Sequence, residues 1–583
     1  MHLPGRQRGL ALLILMALFA VTAAYMLVRA LNRSSIDLTL ARAEKNRAVM
    51  QQAKASLIAW SASQALTATR PGSLPCPDRN NDGYAESSCG SSNRLGRLPY
   101  KTLGVDELRD ASGELLWYSL SSTFRNYTGT INSDTQGNLI LYDRDAQGNE
   151  TVGFNNVVAV VLAPGAVLAN QDRSWSGATC SLATDPCNTA SNYLEGRNGD
   201  ANTADYVIAA EDLTDAVTAN LINDQLLAIT SQDLFTAVEP VVAARMQSDI
   251  VRQFIYDPTD PGTSTQWSDI PGPNKSRYFK AWGGFPFAVP FTGPPSSTSS
   301  PNYTGQAATP GPASYEGLLP VVSNLNYTWN SGSVIQTGGT GWIWGGSSCT
   351  PVNSNTQLSC NIWYNSGSPT ISISGTAGNV GNSFVQLPQL TDLNINCFGC
   401  SLSSRNLSGS LDSSGVGTVT LTGTLSSVSS WTNMTVTFNQ LSVSAITSTN
   451  SADFAGWYNN NQWYKQTYYS ISPGYAPGGA GSCNPWNPPP SPPANPPSNP
   501  PCLSVANLPN PPYANPSVDT RAIVILAGRS LSGATRPNGA LSDYLEGKNA
   551  STGDYSFENS LGKTTTVAGA PAAINDRVIV IAP

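Results

Sequence analysis

The run Asp78-Arg79-Asn80-Asn81-Asp82-Gly83-Tyr84-Ala85-Glu86 sets oxygen-bearing side chains at its first, third and fifth positions and a glycine at its sixth. That spacing is the opening of a calcium loop, in which Asp78, Asn80 and Asp82 converge, the Tyr84 carbonyl takes position seven and Glu86 position nine. Position twelve, where a bidentate glutamate normally closes the shell, is Cys89. A calcium site therefore competes here with a plainer reading, an Asx-rich turn tied off by Cys76 and Cys89. A second run, Asp143-Arg144-Asp145-Ala146-Gln147-Gly148, reads as a β-turn.

Glu195 and Glu546 each stand in a Tyr-Leu-Glu-Gly-x-Asn hexapeptide. Facing one another, two carboxylates would suit acid/base work. A duplicated turn accounts for them more simply, with each glutamate in its own copy. The ten cysteines fall as sequence neighbours, Cys76 with Cys89, Cys180 with Cys187, Cys349 with Cys360, Cys397 with Cys400 and Cys483 with Cys502. Short, even pairing of this kind predicts disulfides formed in the periplasm or outside the cell. Cys397-x-x-Cys400 has no second pair and no histidines to complete a zinc site. His2 is the chain's one histidine, which removes Ser-His-Asp and Cys-His nucleophiles and histidine proton shuttles. No catalytic set emerges, and the chain is expected not to be an enzyme. With 12% charged residues and a net charge of −7 it has no basic face for nucleic acid.

What must position these residues is a long chain: 583 residues, enough for several domains. Leu10 to Val28 is apolar apart from Thr22 and Tyr25, a length that crosses a bilayer as a helix. Arg6 and Arg8 precede it, which favours a cytoplasmic N-terminus and an exported remainder. Neither Pro nor Gly occurs between Gly9 and Arg70, and Ile36, Leu40, Ala43, Val49, Ala53, Leu57, Ile58 and Trp60 mark an apolar stripe at helical spacing.

Arg6-Gln7-Arg8-Gly9, followed directly by an apolar helix that runs on into an amphipathic half, resembles the leader of type IV pilins and type II secretion pseudopilins. The resemblance implies a leader peptide of residues 1–9, cleavage by prepilin peptidase between Gly9 and Leu10, methylation of the new N-terminus, and a pilin-type helix over 10–70. It also implies a single-pass protein of the bacterial inner membrane, whose bulk is periplasmic or carried on an extracellular filament among other pilins or pseudopilins. The fifth mature residue is Ile14 where the family usually has glutamate, a departure shared with tip-type and some minor subunits. Calcium-stabilised loops recur in the heads of this family, which points to calcium as the cofactor at Asp78–Glu86.

The exported part repeats itself. Gly96-Arg97-Leu98-Pro99, Trp117-Tyr118, Val158 to Gly165, Tyr193 to Asn198 and Asn223 to Ile229 are matched by Glu316 to Pro320, Trp463-Tyr464, Ala522 to Gly528, Tyr544 to Asn549 and Asn575 to Ile581. This predicts a first head over 71–230 and a second over 231–583, the latter opening with a helix over 231–256 that Pro240 should end or kink. Period-two alternation, as in Val419, Leu421 and Leu425, then Met434, Val436 and Phe438, then Leu441 and Val443, predicts a β-sandwich-like insertion over 321–453. Residues 484–516 read as a Pro-rich spacer.

The fold class expected is thus α+β: a long N-terminal pilin-type helix, two related pilin-like heads and an all-β insertion in the second. The function expected is that of a minor or tip pseudopilin-like component of a type IV pilus or type II secretion-type machine. Ten of the thirteen tryptophans lie between Trp267 and Trp486. Any exposed on the insertion would form a stacking platform, which supplies the alternative of an anchored adhesin with a surface or glycan ligand.

Overall fold

A computed structural model of the chain describes the backbone of residues 6–209, 222–249, 315–379, 395–476 and 481–582, less short breaks inside these stretches, of which 444–456 and 486–499 are the longest, together with Phe285 and Ala288. The protein is mixed α+β, built mostly of sheets with few helices. It divides into two compact units, the first formed by Met1–Ser61, Ser73–Gly129 and Gln136–Leu234, the second by Ala62–Gly72, Thr130–Thr135 and Phe235–Pro583.

The first element is a helix, α1, over Arg6–Gln64. It is rich in Ala and Leu and holds no proline, and it stops six residues short of the predicted end. Beyond Gln64 the chain tightens into turns, and the carbonyls of Ala65 and Ala68 are taken by the Arg245 guanidinium at 3.0 and 2.7 Å. Pro71 follows, which bars the helical conformation from its predecessor.

In the first unit β1 (Leu95–Arg97), β2 (Trp117–Leu120), β5 (Ala159–Ala163) and β7 (Gln225–Ile229) form a four-stranded antiparallel sheet in the order β1-β2-β5-β7. A short helix, α2 (Tyr100–Leu103), follows β1. A second sheet, β4-β3-β6, is made by β3 (Leu139–Arg144), β4 (Glu150–Val157) and β6 (Asp205–Ala209), with β3 and β6 parallel. Leu95, Trp117, Leu139, Leu141, Val160, Leu162 and Tyr206 form the core of the unit.

The second unit repeats this plan strand for strand. Its four-stranded antiparallel sheet, β26-β22-β19-β8, joins β8 (Glu316–Leu318), β19 (Thr467–Ile471), β22 (Ala522–Leu526) and β26 (Arg577–Ala582). Its three-stranded sheet, β21-β20-β23, joins β20 (Leu503–Ala506), β21 (Ser517–Thr520) and β23 (Ser556–Glu558), again with one parallel pair, β20 and β23. A hairpin of β24 (Thr564–Val567) and β25 (Ala570–Ala573) completes it. One landmark moves. Trp117 stands opposite Leu162 and Tyr118 opposite Val161, and the residues in the same places are Tyr468 and Tyr469, opposite Ile525 and Val524. Trp463-Tyr464 lies instead in the 3₁₀ turn that leads into β19.

The helix that opens the second copy, α3 (Ser231–Met246), runs through Pro240 instead of ending there. Phe235, Val238, Val242, Ala243 and Met246 are buried on both sides of the proline, so packing holds the helix despite the hydrogen bond lost at position 240. The remainder of the predicted helix, from residue 250 on, lies outside the described residues, as does most of the Pro-rich spacer. Ala62–Gly72 and Thr130–Thr135 belong to the second unit because Asn461 ties them in: its amide donates to the Thr69 carbonyl at 2.6 Å and its Oδ1 accepts from Ile131 N–H at 3.1 Å.

Between β8 and β19 stands the β-rich insertion. Its strands are β9 (Leu325–Gly339), β10 (Trp342–Ile343), β11 (Ser348–Val352), β12 (Gln357–Asn365), β13 (Pro369–Asn379), β14 (Ile395–Phe398), β15 (Leu402–Leu411), β16 (Gly417–Leu425), β17 (Thr432–Phe438) and β18 (Ser442–Val443). In hydrogen bonding the β-sandwich-like insertion is one continuous ten-stranded sheet. The 15-residue β9 is the reason, since it pairs with β11 on one side and β13 on the other and so joins the two halves. Val419, Leu421, Leu425, Met434, Val436 and Phe438 are buried as the alternation requires. The side chains of Leu441 and Val443 lie outside the described residues.

Candidate functional site

Helix α1 changes character along its length. Asn46, Met50, Ala53 and Leu57 are buried at successive helical turns, and the Ala111 N–H donates to Asn46 Oδ1 at 2.6 Å while Lys54 Nζ pairs with Asp233 Oδ2 at 2.8 Å. Toward the N-terminus Leu15, Met16, Leu18, Phe19, Val21, Tyr25, Met26 and Leu27 are all more than half exposed. Gly9 and Leu10 sit in the backbone of the same helix, and their side-chain environment lies outside the described residues. Among the described residues no helix is long and apolar enough to cross a membrane. The side chains described within the apolar segment run from Leu15 to Leu27, about 20 Å of helix at 1.5 Å per residue.

The Asp78–Glu86 loop is closed by its own backbone. Buried Asp78 accepts the N–H groups of Asn80, Asn81 and Gly83 at 3.2, 2.7 and 2.8 Å. Burial pushes its carboxyl up, against the pull of those three donors. Asp82 Oδ1 accepts Tyr84 N–H at 2.7 Å, Asn80 Oδ1 accepts Asp82 N–H at 3.2 Å, and Glu86 Oε1 accepts Arg79 N–H at 3.2 Å. The Lys101 ammonium donates to the Asp82 carbonyl and lies 5.1 Å from the centre of the Tyr84 ring. Gly83 has φ +85° and a Cβ there would meet the Tyr100 ring at 2.8 Å, so only glycine turns this corner. Among the described residues no three acidic, histidine or cysteine side chains gather closely enough to hold a metal.

As it stands the loop is a self-sufficient turn, its carboxylates held by protein donors and the Asp82 carbonyl by the Lys101 ammonium. Accordingly, millimolar calcium, the range of weak extracellular sites, should shift the thermal midpoint by less than about 1 °C. Asp78→Ala should cost about 2–3 kcal/mol with or without calcium, since it strands buried donors. A calcium-dependent rise of several degrees, read by differential scanning fluorimetry against chelator, would instead establish the metal site.

The Tyr-Leu-Glu-Gly-x-Asn copies build the same buried network twice. In the first unit the Glu195 N–H donates to Asp224 Oδ2 at 2.8 Å and Asn198 Nδ2 reaches the same oxygen at 3.3 Å. Asn198 also clamps β6, giving to the Val207 carbonyl at 3.0 Å and accepting its N–H at 2.8 Å. In the second unit the Glu546 N–H and Asn549 Nδ2 reach Asp576 Oδ2 at 2.8 and 3.1 Å, and Asn549 clamps β23 at Glu558 with bonds of 2.8 and 2.9 Å. Burial, and then the charge of the partnering glutamate, push Asp224 and Asp576 well above the usual carboxylate range. Burial raises Glu195 and Glu546 as well. Each aspartate and its glutamate form a dyad of buried acids, the charge of one raising the other.

Sequence reasoning missed the arginine bonded to the carbonyl of the tyrosine that opens each hexapeptide. Arg173 donates to the Asn192, Gly165 and Tyr193 carbonyls at 3.0, 2.9 and 3.0 Å. Arg536 donates to the matching carbonyls of Asp543, Gly528 and Tyr544. The guanidiniums lie 5.1 and 4.8 Å from the centres of the Tyr193 and Tyr544 rings. No shared spacing flags them, for Arg173 precedes its hexapeptide by twenty residues and Arg536 by eight. Gly165 and Gly528 are fixed by the same network, since a Cβ would strike Asn223 at 2.9 Å and Asn575 at 2.3 Å. Each glutamate bonds within its own unit, Glu195 to Asn223 and Asp224 and Glu546 to Asn575 and Asp576.

Disulfides join Cys76 to Cys89, Cys180 to Cys187, Cys349 to Cys360 and Cys483 to Cys502. The Cys397 and Cys400 side chains lie outside the described residues. Among the tryptophans, Trp329, Trp457 and Trp463 are fully buried, whereas Trp342, Trp344, Trp363 and Trp431 on the insertion are 71, 57, 43 and 47% exposed. Comparison of the chain with protein-family models, with curated proteins and with solved structures gives no match.

Proposed function

We propose that the chain is an exported, membrane-anchored structural subunit of pilin-like construction, a minor or tip-type member of a type IV pilus or type II secretion-type machine, acting by assembly and not by catalysis. One observation carries the reading: α1 is a single 59-residue helix whose C-terminal half is packed into a folded unit while its apolar N-terminal part has every described side chain exposed. A large apolar surface of that kind is stable only against lipid or against other apolar helices, the two environments that an inner-membrane filament subunit meets in turn. The basic residues before Gly9 support a pilin-type leader, and Ile14 at the position of the filament-body glutamate supports a tip or accessory role. Disulfides in both units suit an oxidising compartment. Within this reading the two related α+β units are pilin-like heads.

Co-expression with a prepilin peptidase should yield a mature chain beginning at Leu10, and Gly9→Val should leave it full length, both read by N-terminal sequencing or intact mass. Processing at any other bond, such as one after Ala23, would overturn the proposal. A second reading, an anchored adhesin, draws on the four exposed tryptophans of the insertion.

A further inference from the structure

The exposed tryptophans are not scattered. Trp342 pairs with Asn365 across β10 and β12, and directly opposed residues of an antiparallel pair share a face. Trp363 lies two residues before Asn365 on β12, hence on that face too, in a strand whose Leu358, Cys360, Ile362 and Tyr364 point inward. The Trp344 N–H donates to the Trp363 carbonyl at 2.7 Å, which sets Trp344 beside Trp363. Trp431 directly precedes β17, where Thr432 pairs with Tyr364, and its ring meets that of Trp344 edge to face with centroids 5.5 Å apart. Four indoles thus lie on the solvent face of one corner of the ten-stranded sheet.

The corner is held in shape. Gln336 Nε2 donates to the Gly341 carbonyl at 3.0 Å and its Oε1 accepts the Ile343 N–H at 3.3 Å, pinning the segment that carries Trp342 and Trp344. The Trp363 N–H donates to Ser347 Oγ at 3.3 Å, and the Cys349–Cys360 disulfide joins β11 to β12 next to it. Asn433 stands opposite Trp363 across β12 and β17, and Asn361, on the same face, accepts the Thr435 hydroxyl at 2.9 Å.

Charge decides what fits this face. Between Leu325 and Val443 the chain has only three charged residues, Asp392, Arg405 and Asp412, and no lysine or glutamate. Arg405, the one cation, stands on β15 at the other end of the strand order, so phosphate, sulfate and carboxylate groups would find little counter-charge at the corner. An uncharged ligand that combines apolar faces with many hydroxyls would find indole surfaces to stack on and amides and hydroxyls to bond with. We infer that this tryptophan corner binds an uncharged polysaccharide, its sugar rings stacking on Trp342, Trp344, Trp363 and Trp431 and its hydroxyls bonding to the neighbouring asparagines. The inference stands on the insertion alone and is independent of how α1 is processed or anchored.

The test uses the full chain in a detergent without a sugar headgroup. Co-sedimentation with cellulose, chitin, mannan and amylose, with alginate and heparin as charged controls, is expected to show retention on at least one uncharged polymer and none on the charged ones. Trp344→Ala and Trp363→Ala should each weaken that binding at least tenfold, Trp342→Ala less, and Phe154→Ser in the first unit not at all. Circular dichroism should be unchanged in all four, because each side chain is exposed. Retention on none of the uncharged polymers, equal retention on alginate or heparin, or binding indifferent to the tryptophan variants would overturn the inference. So would tryptophan variants that abolish self-association or attachment to phosphatidylcholine vesicles instead, which would make a second copy or lipid the occupant.

Discussion

Asp576→Ala is expected to lower the stability of the second unit by about 3–5 kcal/mol, the cost typical of removing one member of a buried charged or hydrogen-bonded pair. Asp576 is completely buried and its Oδ2 receives two donors, the Glu546 N–H and Asn549 Nδ2. Alanine strands both in a buried site, at about 1–3 kcal/mol each. It also frees Asn549, the clamp on β23, from one of its anchors. Asp576→Asn keeps an oxygen for these donors and should recover about half of the loss. Asp224→Ala should act on the first unit in the same way, through Glu195 and Asn198. Hydrogen exchange can read both, as lost protection in β22 and β26 for Asp576 and in β5 and β7 for Asp224. A loss below about 1 kcal/mol would mean that the dyads are incidental to the fold.

What the sequence made legible and what it did not divide along a physical line. Period-two alternation marked the inward residues of β16 and β17 because a strand's side chains report its two faces locally. The apolar ends of β5 and β22 and the hexapeptides after them were legible for a related reason: each is a short segment whose partners lie within its own copy. The second sheet of each unit escaped notice, since β3 and β6 pair in parallel across a long connection and share no local signature with β20 and β23. Trp463-Tyr464 was matched by letter to Trp117-Tyr118, whereas register gives that place to Tyr468-Tyr469. Composition could count the tryptophans, but only the tertiary fold separates Trp329, Trp457 and Trp463 in the core from the four at the sheet corner. Likewise the dyads needed the fold, because a carboxylate's role depends on what closes over it. Asn223-Asp224 and Asn575-Asp576 stood out only as the first residues of a repeated segment, and their carboxylates proved to be the hubs.

These buried acids also fix the pH dependence. Burial pushes Glu239 to about 7 despite the positive charges of Arg577 and Arg529, and burial, with Asp554 adding to it, pushes Glu316 to about 7. A carboxyl raised in the folded state binds its proton more tightly there than in the unfolded chain, so it stabilises the fold fully below the unfolded value and loses that contribution as pH rises through the folded one. For Glu316 the window runs from 4.5 to about 7, and the contribution lost across it is roughly 3 kcal/mol. The second unit should therefore be more stable near pH 5 than at pH 8, the reverse of a protein held by exposed ion pairs. Glu316 is the clearer probe because its charged neighbour Asp554 repels it, and its Oε2 accepts the Gly553 N–H at 2.8 Å, a bond the glutamine carbonyl can keep. Glu316→Gln should match the parent near pH 4.5, exceed its stability at pH 8 and flatten the profile between. Urea unfolding at both pH values decides it, and a variant parallel to the parent at all pH would show that Glu316 is ionised in the fold.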